Sequence, residues 1–390
     1  MAAAVVLVTA APFRSAAQTS TSRPESPPVN GVGLRSSEPR VAPLPESEWT
    51  PDQRAIAERY ASFGSTGNVR ATLLRVPELA ESIQPFLRYT SLDSTLSPRH
   101  RAIVILRTAW LAQNAPLWTD YAVGVAARDL RRIAVGADAE GWDAFETRLV
   151  RLVDELFINS SVTDATWTAV AERYDAYNMV DLVMTVAELT TVSVLLNSLG
   201  VQPDGASSLP SNIDYRVTVP PREPPLTTPR LDPIDGQGLR VIRTIARHPQ
   251  VLDTWGGNTT YVNRLSPLTP HDRELLILRI GWNCQAEYEW AKHVGSVGRA
   301  RDHGLEPRRV AEGPDAPGWE PHEVALLVAA DEMYRDAMVS DDTWRALASH
   351  YNSHEMMSIV MTVATYRFVS MTLNAFGVQL RPDDEGFPSF

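Results

Sequence analysis

Between Leu275 and Ile280 every residue but Arg279 is apolar. That is too continuous for a one-sided stripe and suits a helix buried on nearly all sides. Just upstream, Thr269 fits an N-cap, Pro270 the first helical position and Asp272 the positive end of the helix dipole. The same reading predicts a second helix from about Ala286 to Asp302, stopped by Gly304, and another from about His322 to Met338. A short amphipathic helix is expected over Asp342 to Tyr351. A last one runs from Met356 to Phe376, capped by Ser353 and ended by Gly377. No segment alternates long enough to make a strand, so the pattern predicts an all-α chain.

This pattern occurs twice. Ser97-Pro98, Ile105-Leu106-Arg107, Trp110 and Trp118 stand 172 residues before Thr269-Pro270, Ile277-Leu278-Arg279, Trp282 and Trp290. Further on, Trp142, Trp167, Tyr174, Asn197 and Gly200 stand 177 residues before Trp319, Trp344, Tyr351, Asn374 and Gly377. Tryptophans in register at a fixed period are the mark of a duplicated unit. Prolines delimit the copies: sixteen of 29 fall in Pro12–Pro51 and Pro203–Pro233, segments too proline-rich for helix interiors. The expected organisation is a signal-like or disordered tail over 1–51, helical domains over 52–202 and 235–381, a linker over 203–234, and a tail over 382–390.

Composition narrows the function. The chain has 390 residues and a formal net charge of −11, which argues against a nucleic-acid partner. No apolar run approaches the roughly 18 residues of a spanning helix. With Cys284 the only cysteine, an internal disulfide, a thiolate zinc site and a self-contained dithiol centre are excluded. No glycine-rich phosphate loop precedes a helix, and no cofactor is expected. Met1–Ala17 resembles a signal peptide without a basic start. The chain is periplasmic or secreted if that segment is one, and cytoplasmic otherwise.

Candidate chemistry sits in the second copy. Glu289 and His293 are i, i+4 and share a helix face, an arrangement that orients an imidazole and raises its basicity. Glu274 lies in the first turn of the buried helix, where desolvation is expected to raise its pKa. A solvated ion pair plus a capping glutamate is the plain alternative. The first copy has Ala102, Leu117 and Tyr121 at these three positions while keeping Arg107, Trp110 and Trp118. The polar set is lost together, so one copy reads as a site and the other as scaffold. Arg279, matched by Arg107, reads as structural. Trp282 and Trp290 read as core or as a wall of the site. Glu274, Glu289, His293 and His271 together would be a weak carboxylate-rich metal set.

Arg273-Glu274-Leu275-Leu276-Ile277-Leu278-Arg279, followed by Glu287-Tyr288-Glu289-Trp290 and His293, resembles the carboxymuconolactone decarboxylase family, which includes the alkylhydroperoxidase D-type proteins. The resemblance spans both copies. It implies an alkylhydroperoxidase D-like all-helical fold in tandem and a homo-oligomer, a trimer or dimer for this duplicated chain. The peroxidase branch carries Glu, eleven residues, Cys-x-x-Cys, three residues, His. Here Glu274 and His293 hold the outer positions, Ala286 and Glu289 replace the cysteines, and Cys284 is out of register. The expectation is therefore a cofactor-independent lyase or isomerase acting on a small lactone or unsaturated or keto acid. His293 would serve as acid–base oriented by Glu289, Glu274 as second proton carrier, and Cys284, Tyr288 and Trp290 as substrate contacts. A non-catalytic oligomeric scaffold and a thiol peroxidase using Cys284 are the alternatives.

Overall fold

The computed structural model describes residues 38–61, 67–210, 213 and 217–389; Met1–Ala17 lies outside them. Among the described residues the chain is all-helical. Its first half runs α1 (Pro51–Arg59), α2 (Gly67–Leu73), α3 (Pro77–Arg88), α4 (Pro98–Leu111), α5 (Ala115–Tyr121), α6 (Ala127–Val135), α7 (Ala144–Asn159), α8 (Asp164–Ala171) and α9 (Ala176–Leu199). The second half runs α10 (Arg240–Ile245), α11 (Pro249–Thr260), α12 (Pro270–Asn283), α13 (Glu287–Val294), α14 (Pro307–Glu312), α15 (Pro321–Asp336), α16 (Asp341–Ala348) and α17 (Ser353–Phe376). Lengths recur in order: α4 and α12 have 14 residues, α7 and α15 have 16, α8 and α16 have 8, α9 and α17 have 24. A five-residue π-helical turn follows both α3 (Tyr89–Asp93) and α11 (Tyr261–Leu265).

Local chemistry explains the ends. Ser97 and Thr269 cap α4 and α12 by accepting the backbone N–H of His100 at 3.2 Å and Asp272 at 3.1 Å. Gly377 stops α17 in the left-handed region at φ 67°. The helix expected over Ala286–Asp302 ends instead at Val294. Gly295 leaves helical geometry there, and the chain turns so that Gly298 tucks under the first turn of α12. Asn352, not Ser353, caps α17, accepting from His354 and Glu355.

Helices α9 and α17 pack on each other at the centre of the molecule. Both are long and apolar enough to cross a bilayer, a property that counting uninterrupted apolar runs did not reveal; the apolar 18-residue stretch of each is wholly buried, as in core helices. Two of their interior hydroxyls, those of Thr190 and Thr362, donate to the carbonyls of Val186 and Ser358 one turn back, which satisfies them without water.

The halves grip each other reciprocally. Arg40 donates to Ser198 O and Val339 O, pairs with Asp341 and lies over Trp344. Arg230 donates to Ala375 O and Val162 O, pairs with Asp164 and lies over Trp167. Asn197 donates to Ala112 O and Ala337 O, and Asn374 to Cys284 O and Ser160 O. Inside each half a buried arginine binds one aspartate with two nitrogens: Arg107 with Asp154 at 2.6 and 3.1 Å, Arg279 with Asp331 at 2.6 and 2.8 Å. Arg279 is structural, as its match to Arg107 suggests.

Candidate functional site

Glu274, in the first turn of α12, and Glu289 and His293, on one face of α13, converge. His293 Nδ1 lies 2.6 Å from Glu274 Oε2, and His293 Nε2 lies 2.9 Å from Glu289 Oε1. All three side chains are buried. Glu274 Oε1 faces Arg273 Nε at 3.4 Å, so both its oxygens are engaged. Glu289 Oε2 accepts no hydrogen bond among the described residues, which makes it the one carboxylate oxygen of the trio left for another molecule.

Burial alone would push the His293 pKa down. The Glu274 and Glu289 carboxylates outweigh it and hold it at about 10, so the ring is an imidazolium donating from both nitrogens at neutral pH. For Glu274, burial works upward, but His293 and Arg273 bring it below the ordinary carboxylate range. That corrects the expected raised pKa: the carboxyl is desolvated, but it is desolvated beside two cations.

Three further groups complete the site. Tyr366 on α17 meets the His293 ring edge-on, with centroids 4.9 Å apart. Its hydroxyl bonds the amide of Asn263, an exposed residue of the second π-helical turn, at about 3 Å. Burial and then Glu289 raise the phenol's pKa, so it remains a donor at neutral pH. Gly298 closes the floor: a Cβ there would stand 2.1 Å from Glu274 Oε2 and 2.7 Å from His293 Nδ1. Spacing along the chain signals none of the three. In the first half the positions matching Tyr366, Asn263 and Gly298 hold Leu189, Ser91 and Ala126. There the hydroxyls of Tyr121 and Ser91 bond each other at 2.6 Å where the second half has His293 and Asn263.

The expected substrate contacts are not gathered at this trio. Cys284, at the C-terminal end of α12, is enclosed against Arg222, Arg367, Ser160 and Ser370, none of which touches His293. Burial pushes its thiol pKa up, the opposite of what a peroxidatic thiolate needs. Trp290 is core: its ring contacts Trp282 and Phe387, as Trp118 contacts Trp110 in the first half. Tyr288 lines a cavity of about 130 Å³ with Glu287 and Arg222, and Glu274, Glu289 and His293 are not among the residues bounding it. Among the described residues no three His, Cys, Asp or Glu side chains gather as a cation site. At the trio the reason is visible, because both imidazole nitrogens point at carboxylates. His271 bonds Glu323 and the carbonyl of His303 instead.

Compared with known proteins, the chain matches no family model, and no curated protein matches it significantly.

Proposed function

We propose that the chain is a tandem-duplicated, carboxymuconolactone decarboxylase-like protein with an alkylhydroperoxidase D-like fold. Its second copy would be a cofactor-independent lyase or isomerase for a small lactone or an unsaturated or keto acid, and its first copy scaffold. Recurring helix lengths and reciprocal clasps support the duplication. The observation that carries the activity is the imidazolium held between two carboxylates in one copy, with Tyr121 and Ser91 in its place in the other.

In this reading the base is Glu289 and not the charged His293. Glu289 Oε2 takes the proton next to the substrate carbonyl, and the electron pair moves onto the carbonyl oxygen as an enolate. His293 keeps its proton, and its positive charge offsets the negative charge that passes from Glu289 to the enolate. In the decarboxylating version the substrate's carboxylic acid first gives its proton to Glu289, CO2 then leaves as the same enolate forms, and Glu289 returns that proton to carbon. Asn263 is exposed and bonds the buried Tyr366 hydroxyl, which makes Asn263 the group of the site an entering acid would meet first. An oligomer that covers this face would complete the enclosure.

The burial of all three side chains, apart from the cavity, also suits a second reading, in which the trio is an ion cluster stabilising a non-catalytic oligomer. A thermal-shift screen of small lactones, keto acids and unsaturated acids separates the two. A ligand that binds the native state raises the melting temperature by mass action. The catalytic reading expects a hit that disappears in Glu289→Gln and is retained in Tyr121→Phe. A broad panel without a hit, or hits indifferent to Glu289→Gln, favours the cluster.

A further inference from the structure

Beneath the proline-rich connection between the halves lies the cavity of about 130 Å³. It is slightly smaller than the roughly 150 Å³ cavity that holds a benzene ring in another protein. Leu226, Leu373, Val378 and Leu380 supply its apolar wall, and Arg222 its unusual member. Arg222 Nη1 donates to the carbonyls of Asn159 at 2.9 Å and Cys284 at 2.6 Å, and Nη2 to that of Gln285 at 3.1 Å. Those bonds use three of five N–H groups. Among the described residues Nε–H and the second Nη2–H have no acceptor.

Arg40, Arg107, Arg230 and Arg279 clasp backbone carbonyls in the same way and each also holds an aspartate, Asp341, Asp154, Asp164 and Asp331 in turn, whereas Arg240 clasps the carbonyls of Gln379 and Leu380 with no carboxylate among the described residues. Arg222 has no carboxylate. Burial lowers its pKa, as expected of a cation short of counter-charge. The acidic residues that share the cavity do not supply it: Glu223 accepts the N–H of Asp164, and Glu287 that of Phe387.

We propose that this cavity is a binding site for a small monocarboxylate, whose carboxylate takes the free edge of Arg222 and whose apolar body, up to the size of one ring, lies against Leu226, Leu373, Val378 and Leu380. The guanidinium fork matches a carboxylate geometrically. Glu223 and Glu287 at the wall select against a second negative charge. Because Tyr288 faces the cavity while Glu289 and His293 face elsewhere on α13, the site is separate from the acid–base trio and does not depend on it.

The test is calorimetric titration of the full chain with benzoate, and with benzyl alcohol as its uncharged analogue. Benzoate binds the wild type, and benzyl alcohol binds at least about tenfold more weakly, the difference one charge-assisted pair makes. Arg222→Met weakens benzoate to the level of the alcohol, and His293→Gln leaves it unchanged. Arg222 also ties the ends of α7 and α12 to the linker, so Leu380→Trp, which fills the cavity and keeps the arginine, decides the matter if Arg222→Met does not fold; it abolishes binding. No benzoate binding to the wild type overturns the proposal, as does equal affinity in folded Arg222→Met or in Leu380→Trp.

Discussion

Gly298→Ala tests whether the trio is as tight as its distances say. The new Cβ would lie 2.1 Å from Glu274 Oε2, 2.7 Å from His293 Nδ1 and 2.6 Å from the His293 carbonyl oxygen. Carbon–oxygen contacts settle at about 3.3 Å, so Glu274 must retreat by roughly 1 Å and gives up its 2.6 Å bond to His293. The backbone at 298 is not in the positive-φ region, so the cost is contact alone. Overpacking costs about 1–3 kcal/mol and the lost charged hydrogen bond about 1.5–3 kcal/mol, together about 2.5–6 kcal/mol. Urea unfolding measures it, with the His293 ring titration followed by NMR. In a Glu274→Ala background the same substitution should cost less by the part owed to the Glu274 oxygen, while the 2.6 Å and 2.7 Å contacts with the His293 carbonyl oxygen and Nδ1 remain. In the first half the position matching Gly298 holds Ala126 and the one matching Glu274 holds Ala102. A Gly298→Ala protein within about 0.5 kcal/mol of wild type, with His293 still titrating near 10, refutes the geometry.

The folded His293 pKa of about 10 stands above its ordinary 6.5, so its stabilisation is complete below pH 6.5 and is lost as pH rises through 10. Glu274→Gln should lower the NMR titration midpoint of His293 and move that loss to lower pH; an unmoved midpoint contradicts the pairing. Glu188, enclosed in α9 with Asn258 on one oxygen only, is pushed by burial up to about 8 from 4.5. Its folded form holds a proton that the unfolded chain releases, so stability falls as pH rises from 4.5 to 8. Glu188→Gln should remove that decline and be more stable than wild type at pH 9 by a few kcal/mol, since each pH unit across that interval costs about 1.4 kcal/mol; a parallel pH–stability curve refutes it. Asp154→Ala strands a buried Arg107 and should cost about 3–5 kcal/mol in urea unfolding, where a loss under about 1 kcal/mol would show the pair to be dispensable.

Helix type and most helix ends were legible because caps and breakers act locally: Thr269, Pro270 and Gly377 do what their chemistry favours. The end of α13 was not, since Gly295 stops the helix where Gly298 must pass beneath Glu274, a contact 24 positions away in sequence. Glu289 and His293 could be paired from their spacing, and Glu274 from its burial. The direction of the Glu274 pKa could not, because it depends on an imidazolium that reaches it only through the α12–α13 packing. Tyr366 and Asn263 come from the core helix and a π-helical turn, elements whose positions in sequence carry no sign of the site. Comparing the two halves residue by residue would have found them, because Leu189 and Ser91 depart from them alongside Ala102, Leu117 and Tyr121. The Arg222 cavity is invisible in sequence because its arginine stands in a proline-rich stretch without helical period.

Proton exchange measures the proposed chemistry without requiring the product to be known. Small lactones, unsaturated acids and keto acids are incubated in D2O with wild type and Glu289→Gln, and deuterium next to the carbonyl is followed by NMR. The account predicts exchange into at least one compound class by wild type, lost in Glu289→Gln and kept in Tyr121→Phe. No exchange above the uncatalysed rate in any class, or exchange that Glu289→Gln leaves intact, contradicts it.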